Sequence, residues 1–407
     1  MSSANLHLPP SKKLYRNFTG QEKRMVQTGL ERLVKDPPSF LEGRRLGLLC
    51  HQASILPRYL PAPLVLKERY PRNLRLLFAP QHGLFGEKQA NMISSADFIE
   101  RRTGLPVVSL YGPRLAPRPE HLAEIDVLLV DLQDVGCRVY TYIWTLLLCM
   151  EACAQNGVEV VVLDRPNPLG RKVEGPLLDE SLRSFVGLEP LPMRHGLTIG
   201  ELALYFKEVR RLDLPLRIIP LRGWKGEFFP ETGLPWIPPS PNMPLFETAL
   251  VYPGQVLLEG TNLSEGRGTT RPFEVCGAPW LEPQKVLEAL PPLPGVIFQE
   301  VAFEPWFDKW AGRVCHGLRI CVVEREQYQP VLTSLALLHT VVKTHEAFVF
   351  RYPPYEYEWH EWPFDIIVGK KGIRENLERL DVIEKLLQEG LKEFQEAVEA
   401  FKLYRDV

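Results

Sequence analysis

The 407-residue chain is notable first for what it lacks. It contains no run of about eighteen apolar residues, so the sequence predicts no membrane-spanning helix. The opening stretch from Met1 to Lys13 has no apolar core, so no secretory signal is expected and a cytoplasmic location is. The net charge of −2 gives no electrostatic case for a nucleic-acid partner or an anionic membrane. The seven cysteines are odd in number and show no CxxC spacing, which points to reduced thiols rather than a disulfide frame or a zinc knuckle. Cys149 and Cys153, four apart in an apolar helical run, read as core residues. No GxGxxG follows the first apolar run, and no Walker loop, HExxH or GxSxG occurs. These gaps argue against a dinucleotide fingerprint, a phosphate loop, a zinc-protease helix and a hydrolase elbow. No cofactor and no metal are expected, and no internal repeat is found.

What remains is a chain that is 45% apolar and 24% charged, a balance typical of globular proteins. Its length implies two domains. Short apolar runs recur at Arg45–Cys50, Leu74–Ala79, Pro106–Tyr111, Asp126–Asp131 and Val158–Asp164. Runs of six or seven residues without alternation suit strands buried on both faces, as in a parallel sheet. A helical pattern over Tyr142–Asn156 precedes the last of them, and Thr198 with Glu201 forms a capping box for another helix. Gln21–Val34 reads as an amphipathic helix behind a loose N-terminal arm. Strand, helix, strand at this spacing predicts a Rossmann-like N-terminal domain over residues 20–225. Beyond it, proline and tryptophan become frequent. Strands are expected at Ala249–Tyr252, Val296–Phe303 and Leu318–Val323, and helices at Pro330–Thr344 and Ile373–Tyr404. The second domain, 226–407, is therefore read as a smaller α+β unit, with the active site in the cleft between the two.

The chemistry gathers where the apolar runs stop. Leu74–Ala79 is followed by Pro80, Gln81, His82, two glycines and Glu87. The other runs end in His51-Gln52, in Tyr111, in Asp131, Gln133, Asp134, Tyr140 and Tyr142, and in Asp164, Arg165 and Asn167. In a parallel sheet all these carboxyl ends share one edge, so distant polar residues meet in one crevice. His195, Asn242 and the glycine-rich stretch from Glu259 through Asn262 to Arg267 add an imidazole, amides and a guanidinium suited to a carboxylate or phosphate. Paired acids such as Glu87, Asp131 and Asp134 fit glycoside hydrolysis, which needs a proton donor at the leaving oxygen and support at the anomeric carbon. Each acid taken alone is more often a cap or a solvated charge.

Seven ordered blocks carry a resemblance. PQHGLFGE (80–87), TGLPVVSLYG (103–112), DLQDVGCRVYTY (131–142), LDRPNPLG (163–170), RHGLTIGELA (194–203), PSPNMP (239–244) and EGTNLSEGRGTTRPFE (259–274) resemble the NamZ-type exo-β-N-acetylmuramidases. The resemblance implies release of N-acetylmuramic acid from the non-reducing end of peptidoglycan fragments, as in cell-wall recycling, with a small amino sugar or muropeptide as the partner. The rival readings are a non-catalytic amino-sugar or muropeptide binder and a glycosidase for another glycan. Many members carry Glu where this chain has Gln81, and that Glu is the family's candidate acid. An amide cannot transfer the proton. Either Glu87 takes the role, its pKa raised by burial in the cleft, or another residue does, or activity has changed. Asp131 or Asp134 would then assist, His82 and Tyr140 would hold hydroxyls, and Arg267 or Arg165 would pair with the lactyl carboxylate.

Overall fold

A computed structural model describes residues 26–89 and 92–404; the expected N-terminal arm lies outside them. The sheet of the N-terminal region comprises β1 (Leu46–Cys50), β2 (Leu74–Ala79), β3 (Phe98–Ile99), β4 (Pro106–Ser109), β5 (Val127–Asp131), β6 (Glu159–Leu163) and β7 (Leu216–Ile219). Their order is β7-β6-β5-β1-β2-β4-β3. All neighbours run parallel except the short edge strand β3, which pairs antiparallel with β4. The strand order reverses at β1, the doubly wound arrangement in which ligands bind at the carboxyl ends of the strands.

Successive side chains of each strand feed opposite faces of the sheet, and both faces are apolar. Leu48, Leu77, Leu129 and Val161 pack under the Gly29–Lys35 and Ala62–Arg69 helices. Leu49, Phe78, Val130 and Val162 pack under the Tyr142–Asn156 and Ile199–Val209 helices. That double burial is why the strands read as unbroken apolar runs. The Thr198 capping box forms as expected.

The C-terminal region carries a three-stranded antiparallel sheet, β8 (Val275–Ala278), β9 (Val296–Phe303) and β10 (Cys315–Val322), in the order β8-β10-β9. Two expectations fail here. Ala249–Tyr252 is not a strand but part of a helix, Phe246–Gln255, buried on every side. Four apolar residues carry no periodicity that separates the two forms. The stretch Ile373–Tyr404 is not one helix. It breaks between Leu380–Gln388 and Leu391–Val398, where Glu389 is extended and Gly390 left-handed.

At the strand reversal the crevice is filled by an ion pair. Arg165 clasps Asp131 through Nε at 2.6 Å and Nη2 at 3.0 Å, both side chains buried. Removing one partner of such a pair leaves the other charge uncompensated, at a cost of about 3–5 kcal/mol. Asp131→Ala is therefore expected to lower the urea unfolding midpoint by that equivalent; a loss under about 1 kcal/mol would mean that the pair holds little of the fold.

Candidate functional site

The pocket that gathers polar side chains from both regions lies beside the reversal point, over the carboxyl end of β2. Counting its mouth, it holds about 390 Å³ of empty space. Gln81, His82, Tyr140 and Thr141 come from the N-terminal region; Ser240, Asn242, Tyr252, Arg267, Phe273, Tyr355 and Glu356 come from the chain beyond residue 225. It is the cleft between the regions that the sequence predicted.

The β2 loop is closed by two bonds between His82 and Lys88. The Lys88 amide donates to the His82 carbonyl at 3.2 Å, and His82 Nδ1 meets the Lys88 carbonyl at 2.6 Å. A carbonyl can only accept, so Nδ1 carries the hydrogen and Nε2 is left as an acceptor. Burial pulls the His82 pKa down to about 4, with the Arg267 charge adding to burial and the Lys88 carbonyl opposing it. The ring is neutral at pH 7. The opposite wall is pinned to the sheet edge. Gln52 Nε2 donates to the carbonyls of Pro238 and Pro239, and Tyr142 donates to Pro239 at 2.7 Å. This fixes the proline-rich segment that presents Ser240 and Asn242.

Glu356 supplies the carboxyl of the pocket lining, and sequence reasoning missed it. It sits in a tight turn in which Tyr355 and Glu358 exchange both backbone hydrogen bonds. Glu356 and Tyr357 are both left-handed, at φ 44° and 68°. That is the pattern of a type I′ turn, which normally takes glycine or asparagine at those positions. The carboxyl is 3% exposed as a residue and accepts from Tyr111 at 2.7 Å and from Gln81 Nε2 at 3.3 Å. Thr141 donates to Gln81 Oε1 at 2.5 Å, which fixes the amide with its N–H side toward Glu356. Burial pushes the Glu356 pKa up to about 7; the Tyr111 bond pulls against it and the Glu259 charge adds to it. The signal available in the sequence was the run Tyr355-Glu356-Tyr357-Glu358 after Pro353-Pro354, which is neither a strand end nor a glycine-rich loop.

Arg267 lines the same pocket. Its Nη2 and Nε engage Glu259 at 2.7 and 3.2 Å, and Nε lies 3.4 Å from Glu265. Its buried Nη1 has no hydrogen-bond partner among the described residues. Glu259 also accepts from Tyr355 at 2.7 Å, so it braces the arginine and the Glu356 turn together.

Of the residues expected from sequence, Gln81, His82, Tyr140, Asn242 and Arg267 line the pocket, with Tyr111, Tyr142 and Glu259 directly behind it. The others are placed elsewhere. Glu87 is exposed rather than buried, accepts from the Phe85 amide at 3.3 Å and folds over Gly83, where a Cβ would lie 2.4 Å from its Oε1. The expected burial in the cleft is not there. Asp131 and Arg165 are spent on each other. Asp134 accepts from the Gly136 amide and pairs with His195 Nε2 at 3.2 Å. Gln133 bonds the carbonyls of Asp134 and Pro166, and Asn167 bonds the Leu197 carbonyl. Asp164, pushed up to about 7 by burial, accepts from Thr198, the Gly200 amide and Tyr404, which ties the C-terminal tail to the Ile199–Val209 helix. Asn262 exchanges bonds with Ala347 and Val349. The strand ends do converge, but most of their polar groups satisfy one another.

Residues 46–247 match the family described as Exo-beta-N-acetylmuramidase NamZ, N-terminal, and residues 250–404 match Exo-beta-N-acetylmuramidase NamZ, C-terminal. The chain is 40% identical over 388 residues to the peptidoglycan beta-N-acetylmuramidase NamZ of Bacillus subtilis (strain 168), covering 94% of this chain and 92% of that protein. It belongs to the NamZ exo-β-N-acetylmuramidase family. Two crystal structures of DUF1343 family proteins from Bacteroides fragilis NCTC 9343 share this fold. One is 32% identical with a TM-score of 0.85, covering 94% of this chain and all of that one. The other is 27% identical with a TM-score of 0.73, covering 94% and 99%. Within this NamZ-family chain, Glu87 stands outside the pocket. The substitution Glu87→Gln is expected to leave kcat/KM on a chromogenic N-acetylmuramide within about twofold of wild type, because surface changes of this kind rarely reach a buried site. A loss of a hundredfold or more would restore Glu87 as the acid.

Proposed function

We propose that this protein is an exo-β-N-acetylmuramidase that releases N-acetylmuramic acid from the non-reducing end of peptidoglycan fragments, with Glu356 as its proton donor. The observation that carries the reading is the pairing, in one small pocket, of a buried carboxyl poised near neutrality with an arginine that has an unsatisfied Nη1. The carboxyl suits protonation of a glycosidic oxygen. The arginine suits the lactyl carboxylate that distinguishes this sugar from N-acetylglucosamine. The matches to both NamZ domains support reading the two as parts of a muramidase site.

Glu356 transfers its proton to the leaving oxygen as the C1–O bond breaks. The carboxyl nearest to it, on Glu259, is held by Arg267 and Tyr355, so we assign the attack on C1 to the carbonyl oxygen of the substrate's own N-acetyl group. Water then adds to C1 on the opposite face, giving its proton to Glu356, and the N-acetyl group is restored. This path retains the anomeric configuration and needs one enzyme carboxyl. His82 Nε2 accepts from a sugar hydroxyl. Gln81 does not donate a proton in this scheme; it holds the group that does. The seven cysteines are all unpaired, which supports action in a reducing compartment on fragments brought into the cell. Among the described residues no helix is long and apolar enough to cross a membrane.

Two tests follow from the chemistry. Glu356 must be protonated to act, and its pKa lies above that of an ordinary carboxylate. Hence kcat/KM is expected to be flat below pH 7 and to fall about tenfold per unit above it. Glu356→Gln should lower kcat on a natural disaccharide by ~10²–10⁴-fold and abolish that limb. A variant as active as wild type, or a limb unmoved by the substitution, removes Glu356 from the mechanism. Arg267→Lys keeps the charge but loses the guanidinium fork. It should reduce the preference for N-acetylmuramides over N-acetylglucosaminides by about tenfold. An unchanged preference, or binding of N-acetylmuramic acid without turnover of any muramide, would favour the binding-protein alternative or another glycan.

A further inference from the structure

The muramidase reading accounts for the sugar inside the pocket and leaves the rest of the substrate without a place. Trp306 is 88% exposed. An indole combines a large apolar face with a polar N–H, which suits it to a binding surface. It does not sit on a loose tip. It lies in the loop between β9 and β10, and four residues hold that loop in shape, one of them by a bond within the loop. The Trp306 amide donates to the Gly268 carbonyl at 3.0 Å, and the Gly312 amide donates to Pro305 at 2.8 Å. Lys309 reaches the Leu258 carbonyl at 2.7 Å and Glu265 at 2.6 Å, and Trp310 Nε1 bonds the Asn262 carbonyl at 2.7 Å.

Three of these fastenings end on the segment that carries Glu259 and Arg267. Gly268, the anchor for Trp306, follows Arg267 directly. The contact is close: a Cβ on Gly268 would lie 2.7 Å from the Phe307 carbonyl oxygen and 2.9 Å from the Trp306 nitrogen. The loop therefore moves with the pocket wall.

A second exposed indole, Trp359 at 62%, lies three residues beyond Glu356. Its turn is held by the Glu358 carboxylate, which accepts from the amides of Trp359 and His360 at 2.9 and 2.8 Å. Two rigidly mounted tryptophans thus adjoin, in the chain or by backbone bonding, the two residues given roles in the pocket. Neither ring lines the pocket itself, so what they meet is a part of the ligand that extends beyond it.

We propose that Trp306, with Trp359 beside the catalytic turn, forms an aromatic subsite at the pocket mouth. Its ligand is the N-acetylhexosamine on the leaving side of the scissile bond. The apolar C–H face of a pyranose suits an indole face, and such stacking fixes the leaving oxygen over Glu356. The proposal rests on the muramidase reading, but it is separable from it by binding.

Calorimetry with N-acetylmuramic acid, and with a sulfur-linked N-acetylmuramyl-N-acetylglucosamine that the enzyme cannot cleave, tests it without requiring turnover. Wild type is expected to bind the disaccharide at least about tenfold more tightly than the monosaccharide. Trp306→Ala should erase that advantage while the affinity for N-acetylmuramic acid holds, and Trp306→Phe should keep most of it. An unchanged ratio in Trp306→Ala, or equal losses for both ligands, overturns the subsite. No binding of N-acetylmuramic acid to wild type strikes the muramidase reading instead.

Discussion

The hydrogen bond from Gln81 to Glu356 joins the two halves of the site. One partner stands at the carboxyl end of a central sheet strand and the other in a turn of the C-terminal region, 275 residues away in the chain. Together with the Tyr111 bond, which reaches the same carboxyl from the neighbouring strand end, that contact sets the separation between the sheet edge and the acid. With it, Thr141 fixes the amide, the amide and Tyr111 fix the two carboxyl oxygens, and Glu259 fixes the arginine behind the same turn. The neutral state of the carboxyl is then a balance. Burial favours the proton, the donors on both oxygens favour its loss, and the result lies near pH 7.

This placement has a conformational cost. Two consecutive non-glycine residues in the left-handed region cost about 1–3 kcal/mol each. Glycine at either position would relieve the strain, but Glu356 would lose its carboxyl and Tyr357 its ring, which meets Tyr111 edge-on at 5.7 Å. The strain is held by the paired backbone bonds of Tyr355 and Glu358, by burial of Glu356 and by the contact of Tyr357 with Tyr111. Strain held at a buried polar group by its surroundings is a pattern found at many functional sites.

Much of the fold was legible in the amino-acid sequence because the sheet is buried on both faces. β2 and the Tyr142–Asn156 helix coincide with their predicted spans, β1 and β5 differ by a residue at one end, and β6 by a residue at each end. The reading faltered where periodicity was short, as at Ala249–Tyr252, and where one pattern spanned a break, as across Gly390. The site was legible in part. Gln81, His82, Tyr140, Asn242 and Arg267 stand in the pocket because chemistry at strand ends and in glycine-rich loops really does face the cleft. Asp131, Asp134, Asp164, Arg165, Asn167 and His195 looked equally suitable, but a sequence does not reveal that Asp131 would pair with Arg165 and Asp134 with His195, or that Asp164 and Asn167 would be taken up by other groups. Glu356 escaped because its environment is made by residues hundreds of positions away. Gln81, where the resemblance implies Glu, read as the loss of an acid; in three dimensions its amide donates to the buried Glu356 carboxyl.

The central claim is that Glu356 faces the anomeric centre of a muramic sugar. A crystal structure with N-acetylmuramic acid bound tests it most directly. The account predicts a Glu356 carboxyl oxygen within ~2.6–3.2 Å of the anomeric hydroxyl and the lactyl carboxylate on Nη1 of Arg267. A sugar whose anomeric carbon turns toward Glu87, or whose lactyl group points away from Arg267, would contradict it.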